Sequence, residues 1–144
     1  NMTVGSKKLD PPGQKLANLL KSFFRERQDI LLVFVFGSFA QNRLRPASDV
    51  DIGILFKPVP EIDMINALTE ELSSTLTREV DLIVLNHASP VLRMQILKHG
   101  ILVYSRRKKY FHQFFTDTVN QYDDLKRIRK HCEENILRGR IYAR

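Results

Sequence analysis

Short apolar runs alternate along the chain with longer stretches whose apolar residues recur every third or fourth position, the rhythm of strands set between helices. Asp10-Pro11-Pro12-Gly13 reads as a turn, after which Leu16, Leu19, Leu20, Phe23 and Phe24 mark the inner face of a first helix. Ile30 to Phe36 (ILLVFVF) has the branched and aromatic content of a buried strand, and Gly37-Ser38 breaks it where a turn or short helix should follow. Asp49 to Phe56 (DVDIGILF) is a second strand. Ile62, Ile65, Leu68, Leu72 and Leu76 are the stripe of a second amphipathic helix, and Arg78 to Leu85 (REVDLIVL) is a third strand. Ser89 is a cap, Pro90 a first-turn proline and Gly100 a stop, which predicts a short helix over 90–99. Ile101 to Tyr104 adds a short fourth strand. Beyond it Phe111, Phe115, Val119, Tyr122, Leu125 and Ile128 keep helical spacing and predict one long helix. This order predicts an α/β (α+β) fold, a small mixed sheet of three to four strands covered by helices.

Composition bounds the class. A chain of 144 residues with 43% apolar content and nine Phe can bury the core of one domain. No apolar stretch approaches the ~18–20 residues of a membrane span, and the N-terminus lacks the apolar core of a secretion signal, so a cytoplasmic protein is expected. Asn1, ahead of Met2, reads as a cloning leftover. Cys132, the one cysteine, has no partner for a disulfide or a zinc site and is expected to be a buried or half-exposed structural thiol. His87, His99, His112 and His131 show no ligand spacing and read as surface or helix-end residues, while Tyr104, Tyr110, Tyr122 and Tyr142 read as packing or interface residues.

Charge is placed unevenly. Of the net +7, residues 106–144 hold almost all, with 11 Lys+Arg against 5 Asp+Glu. The first part of the long helix should cover its own domain. Beyond roughly Lys126 it should outrun so small a core, which leaves a basic segment for a partner surface or for RNA held by phosphate contacts.

The candidate chemistry lies around the first two strands. Backbone N–H groups left free after Ile30–Phe36 attract anions, Gly37 lets a phosphate approach the backbone, and Ser38 adds a hydroxyl donor. Asp49 and Asp51, two apart on a strand, project to one face, where two carboxylates need a cation between them. Beside a triphosphate that cation is Mg²⁺. Asp81 interrupts an otherwise apolar strand; if that strand lies next to the second, Asp81 completes a three-carboxylate cluster as a ligand of a second ion or as acceptor of a hydroxyl proton. Arg43 and Arg45, in the loop between the motifs, can reach phosphate oxygens or stay solvated.

Gly-Ser, ten residues, Asp-x-Asp and a separate strand Asp together resemble the signature of the nucleotidyltransferase superfamily with the DNA polymerase β-like palm. The short chain and the stretch Ser89 to Ser105 (SPVLRMQILKHGILVYS) are similar to the minimal nucleotidyltransferases, MntA-type antitoxins that pair with HEPN-domain (HepT-type) toxins. The likeness covers roughly residues 14 to 142 and no departure is seen at the motif positions. It implies a polymerase β palm-like fold with a long C-terminal helix. It also implies that Gly37 and Ser38 bind nucleotide phosphates, that Asp49 and Asp51 bind Mg²⁺ (two ions), and that Asp81 is the third acidic residue. ATP would be the donor, and the acceptor a tyrosine hydroxyl of the HEPN toxin, an RNase that becomes adenylylated and inactive. The segments on this reading are an N-terminal disordered piece over 1–13, a nucleotidyltransferase core over 14–105 and a basic helix for packing and docking over 106–144. Two other outcomes stay open: the same transfer onto an aminoglycoside-like small molecule or an RNA end, and a binding antitoxin that masks its toxin by contact.

Overall fold

The computed structural model describes residues 11–37 and 49–137. The elements follow in the order α1 (Pro11–Phe24), β1 (Ile30–Phe36), β2 (Val50–Phe56), α2 (Ile62–Leu76), β3 (Val80–Val84), a 3-10 turn (Leu85–His87), α3 (Pro90–His99), β4 (Ile101–Ser105) and α4 (Lys108–Leu137). One sheet has the strand order β3-β2-β1-β4. β1 is antiparallel to both β2 and β4, and β2 is parallel to β3. The mixed sheet covered by helices is therefore present, with four strands. The short helix expected after Gly37 and the expectation for residues 1–10 fall outside the described residues.

Period-two side-chain alternation divides the core. Val33 and Val35 of β1 and Val50, Ile52, Ile54 and Phe56 of β2 join Leu16, Leu20 and Phe24 of α1 and Leu68, Leu72 and Leu76 of α2 on one face. Leu32 and Phe34 face the other way, against Ile96 and Leu97 of α3, Leu85 of the turn and Phe114 of α4. β1 is buried on both faces, which is why its sequence reads as a continuous apolar run rather than an alternating one.

Several boundaries differ from the sequence expectation. α1 begins at Pro11, because prolines in a first turn give up only N–H groups that would have no helical partner. Ile62 is 67% exposed at the start of α2, so only the later residues of that stripe reach the core. α3 matches: Ser89 Oγ accepts from the Leu92 N–H at 3.2 Å and Pro90 opens the helix. Gly100 ends it in an extended conformation; a Cβ there would lie 2.6 Å from the Ile96 carbonyl oxygen and 3.3 Å from that of Val35, so close packing is what requires glycine.

α4 corrects the reading of its apolar face. The row facing the core is set by Phe114 and Thr118, both buried, with Phe111, Val119, Tyr122 and Leu125 half-buried beside it. Phe115 and Ile128 are exposed, at 47% and 61%. Cys132 is exposed too, not buried, because the core has ended before the helix reaches it. All four histidines are exposed, as expected. Among the described residues no helix is long and apolar enough to cross a membrane.

Candidate active site

β1 runs toward Gly37, whereas β2, β3 and β4 all start at that end and run away from it. The Gly37 end of the sheet thus gathers the close of one strand and the openings of three. Gly37 has φ +75°, a region that side-chain-bearing residues rarely adopt. Phe36 is the register partner of Asp51. The Asp51 carboxylate sits against the glycine, since a Cβ on Gly37 would lie 2.3 Å from Asp51 Oδ2.

Val50 and Ile52 are fully buried toward α1 and α2, which turns Asp51 to the opposite face. On the parallel neighbour the register partner of Asp51 is Asp81. In-register residues of parallel strands share a face, one strand spacing (~4.8 Å) apart, so the two carboxylates stand side by side. Asp49, two positions before Asp51, is exposed just ahead of the strand, whose first N–H (Val50) donates to the Glu79 carbonyl at 2.9 Å.

This is an electrostatically uncomfortable place for an anion. Burial, then repulsion from Asp81, then repulsion from Asp49 raise the Asp51 carboxyl above its ordinary value of 3.8. All three causes favour the proton, and a bound cation would act against them. Among the described residues no three His, Cys, Asp or Glu groups are gathered tightly enough to cage a metal by themselves. Mg²⁺ does not need such a cage, because it is usually held by one or two carboxylates together with substrate phosphates and water. Asp51, for which no cationic partner is seen among the described residues, with Asp49 and Asp81 close by, fits that mode of binding. Ser38, Arg43 and Arg45 lie outside the described residues.

Sequence reasoning passed over the residues that fasten the other end of these strands. β3 pairs with β2 only as far as Ile54 and Val84. Beyond that point the Asn86 amide takes over: the Phe56 N–H donates to Asn86 Oδ1 and Asn86 Nδ2 donates to the Phe56 carbonyl, both at 2.9 Å. Arg93 then donates from Nε to the Leu85 carbonyl at 3.0 Å and from Nη2 to the Asn86 carbonyl at 3.1 Å, with its guanidinium 5.4 Å from the Phe114 ring centroid. Burial lowers the Arg93 pKa, while Asp117 acts in the opposite direction. A charged residue within VLRMQIL was the one available hint; nothing marks Asn86. A cleft of about 340 Å³ lies here, lined by Lys57, Asn86, Arg93, Tyr110 and Asp117 among others. It is separate from the aspartates, since Leu55 on its wall is roughly 13 Å along β2 from Asp51.

Comparison with known proteins gives a consistent set. A family model described as polymerase beta, nucleotidyltransferase matches residues 18–109. The protein adenylyltransferase MntA of Shewanella oneidensis is 27% identical over 123 residues, which span 85% of this chain and 86% of that protein. The structure resembles a toxin–antitoxin crystal structure with AMP-PNP, at a TM-score of 0.71 and 25% identity, covering 84% of this chain and 98% of that one. The fold is shared with a structure of the tri-AMPylated Shewanella oneidensis HEPN toxin in complex with MNT antitoxin, at a TM-score of 0.68 and 24% identity, covering 87% and 98%.

Proposed function

Because the chain belongs to the polymerase β nucleotidyltransferase family, we propose that it transfers AMP from ATP to a hydroxyl of a HEPN-domain toxin and so acts as an antitoxin. The observation that carries this reading is the Asp51 carboxylate, pressed against the bend at Gly37 and level with Asp81 on the neighbouring strand. The likeness to an adenylyltransferase over 85% of the chain supports AMP as the transferred group and a protein as its acceptor.

On this reading the phosphates of ATP lie over the bend that follows β1, where Gly37 has no side chain to hold them off and Ser38 adds its hydroxyl. Asp49 and Asp51 would hold Mg²⁺, which when bound supplies positive charge to the phosphate oxygens. The acceptor oxygen attacks the α-phosphorus in line; its bond to phosphorus forms as the bond from that phosphorus to the bridging oxygen breaks, and pyrophosphate leaves. Asp81, exposed beside Asp51, takes the hydroxyl proton. A tyrosine acceptor makes that proton transfer matter, because a phenol with pKa ~10 is neutral at pH 7. Most of the acceleration comes from positioning the two reactants and from fixed charge near the α-phosphate.

The test is to incubate the protein with its cognate HEPN toxin, Mg²⁺ and each of the four ribonucleoside triphosphates in turn, followed by intact-mass measurement of both proteins. The expected result is a gain of one or more adenylyl groups on the toxin with ATP. Unmodified toxin in every mixture would overturn the reading.

A further inference from the structure

The cleft of about 340 Å³ at the closing end of β2 has no part in the chemistry at Asp51. Three neighbouring elements shape it. Leu55 lies near the end of β2 and Lys57 just past it, and Arg93 comes from α3. Tyr110, Gln113, Phe114 and Asp117 come from α4, where spacings of three and four put all four on one side of the helix. The floor is apolar, since Leu31 and Phe114 are buried and Leu55 is half-buried. The rim is polar, with Lys57, Gln113 and Asp117 exposed. Its volume is at the small end of the range for ligand pockets.

The cleft also holds hydrogen-bond donors that the fold has not used. The half-buried Arg93 guanidinium gives two of its five N–H groups to the Leu85 and Asn86 carbonyls. Its other N–H groups, the Lys57 ammonium and the Tyr110 hydroxyl have no hydrogen-bond partner among the described residues. Neither cation forms an ion pair with a carboxylate there. Asp117 is near enough to act on Arg93, yet one of its oxygens accepts from Gln113 Nε2 at 2.9 Å. Burial disfavours the Arg93 charge. A half-buried guanidinium that lacks a counter-ion in contact is stabilised by an arriving anion.

Charge and shape narrow the choice of anion. Lys57 and Arg93 against Asp117 leave the wall one formal positive charge, which a single negative charge balances and a triphosphate would overshoot. A planar guanidinium matches a carboxylate through two parallel N–H···O bonds. The buried floor suits an apolar or aromatic body. We propose that this cleft is a second ligand site, for a small carboxylic acid with an aromatic or apolar body. Arg93, Lys57 and the Tyr110 hydroxyl hold its carboxylate, and Leu31, Leu55 and Phe114 take its body. A bound acid ties the end of β2 to α3 and α4, and so stabilises the folded chain by mass action. The proposal does not depend on adenylyl transfer, because the cleft lies roughly 13 Å along β2 from Asp51.

Three probes of one shape test this: 3-phenylpropionate, the neutral 3-phenylpropan-1-ol and the cationic 3-phenylpropylamine. Titrated into the wild-type protein and followed by calorimetry, the acid should bind with Kd below about 1 mM. It should bind at least roughly 10-fold more tightly than the alcohol or the amine. Amide resonances of Asn86, Tyr110 and Gln113 should shift on binding, and those of Gly37 and Asp51 should not. Lys57→Met should weaken the acid by roughly 10-fold, whereas Asp117→Asn, which removes the opposing charge, should tighten it by roughly 3-fold. Mg²⁺ with AMP-PNP should leave its affinity unchanged. Equal binding of the three probes, shifts centred on Asp51, or competition by AMP-PNP would overturn the proposal, as would an unchanged Kd in Lys57→Met. Should a variant fail to fold, by its urea midpoint, the three-probe comparison on the wild type decides alone.

Discussion

The Asp51 carboxylate occupies the space that a Cβ on Gly37 would need, with 2.3 Å between the two positions. Gly37 has φ +75° at the close of β1, and any side chain placed there would have to displace the Asp51 carboxylate. Gly37→Ala would suffer twice, from the left-handed backbone and from the overlap. The expected cost is ~1–3 kcal/mol of stability, read as a lower urea midpoint, together with loss of transfer as Asp51 is displaced.

Asp51→Asn should separate stability from activity. The folded carboxyl has a raised pKa, so between its ordinary and raised values the folded chain keeps a proton that the unfolded chain has released. Stability therefore falls as pH rises through that window, and the penalty is fully present above it. In EDTA at pH 7, Asp51→Asn should melt above the wild type, and the gap should close as the pH is lowered toward 4. Added Mg²⁺ and a non-hydrolysable ATP analogue should raise the wild-type Tm and leave the variant unmoved. Equal melting of the two proteins in EDTA at every pH would contradict this account of the site.

Much of this was legible in the chain. The apolar run at 30–36 and the cap-proline-stop of 89–100 are local patterns with local physical causes, and each became the element expected of it, whereas of the Asp-x-Asp of 49–51 only Asp51 lies within the strand and Asp49 stands just ahead of it. Asp81 was legible as a charge in an apolar strand, but its pairing with Asp51 depended on which strand lay beside which, and that is tertiary information. The inner face of α4 was misread because Phe115 has the same spacing and character as Phe111, and only the position of the core tells them apart. The clamp by Asn86 and Arg93 left no sequence pattern beyond the one charge within VLRMQIL, since its partners are backbone groups up to 30 residues away.

Arg93 joins α3, the 3-10 turn and α4 through two carbonyls and one ring. Arg93→Met keeps the length of the stem and removes the donors. The carbonyls of Leu85 and Asn86 then lose charged hydrogen bonds, for an expected loss of ~2 kcal/mol by urea denaturation. Amide exchange at Phe56, where Asn86 anchors β2, should accelerate with it.

Thr118 offers a change of the opposite sign. Its side chain is fully buried on α4 and Oγ1 has no hydrogen-bond partner among the described residues. Thr118→Val keeps the shape and removes the unsatisfied hydroxyl, so stability should rise by ~1 kcal/mol. Chemical denaturation reads this directly, and a loss of stability would mean that the hydroxyl has a partner after all.

The claim on which the rest depends is that Asp51 and its neighbours transfer AMP. The most direct measurement is the rate at which the cognate HEPN toxin gains adenylyl mass, compared between the wild type and Asp51→Asn at equal concentrations with Mg²⁺ and ATP. A rate at least ~100-fold lower in the variant is predicted, since even partners of a metal ligand typically cost 10- to 100-fold when removed. Equal rates in the two proteins would contradict the account.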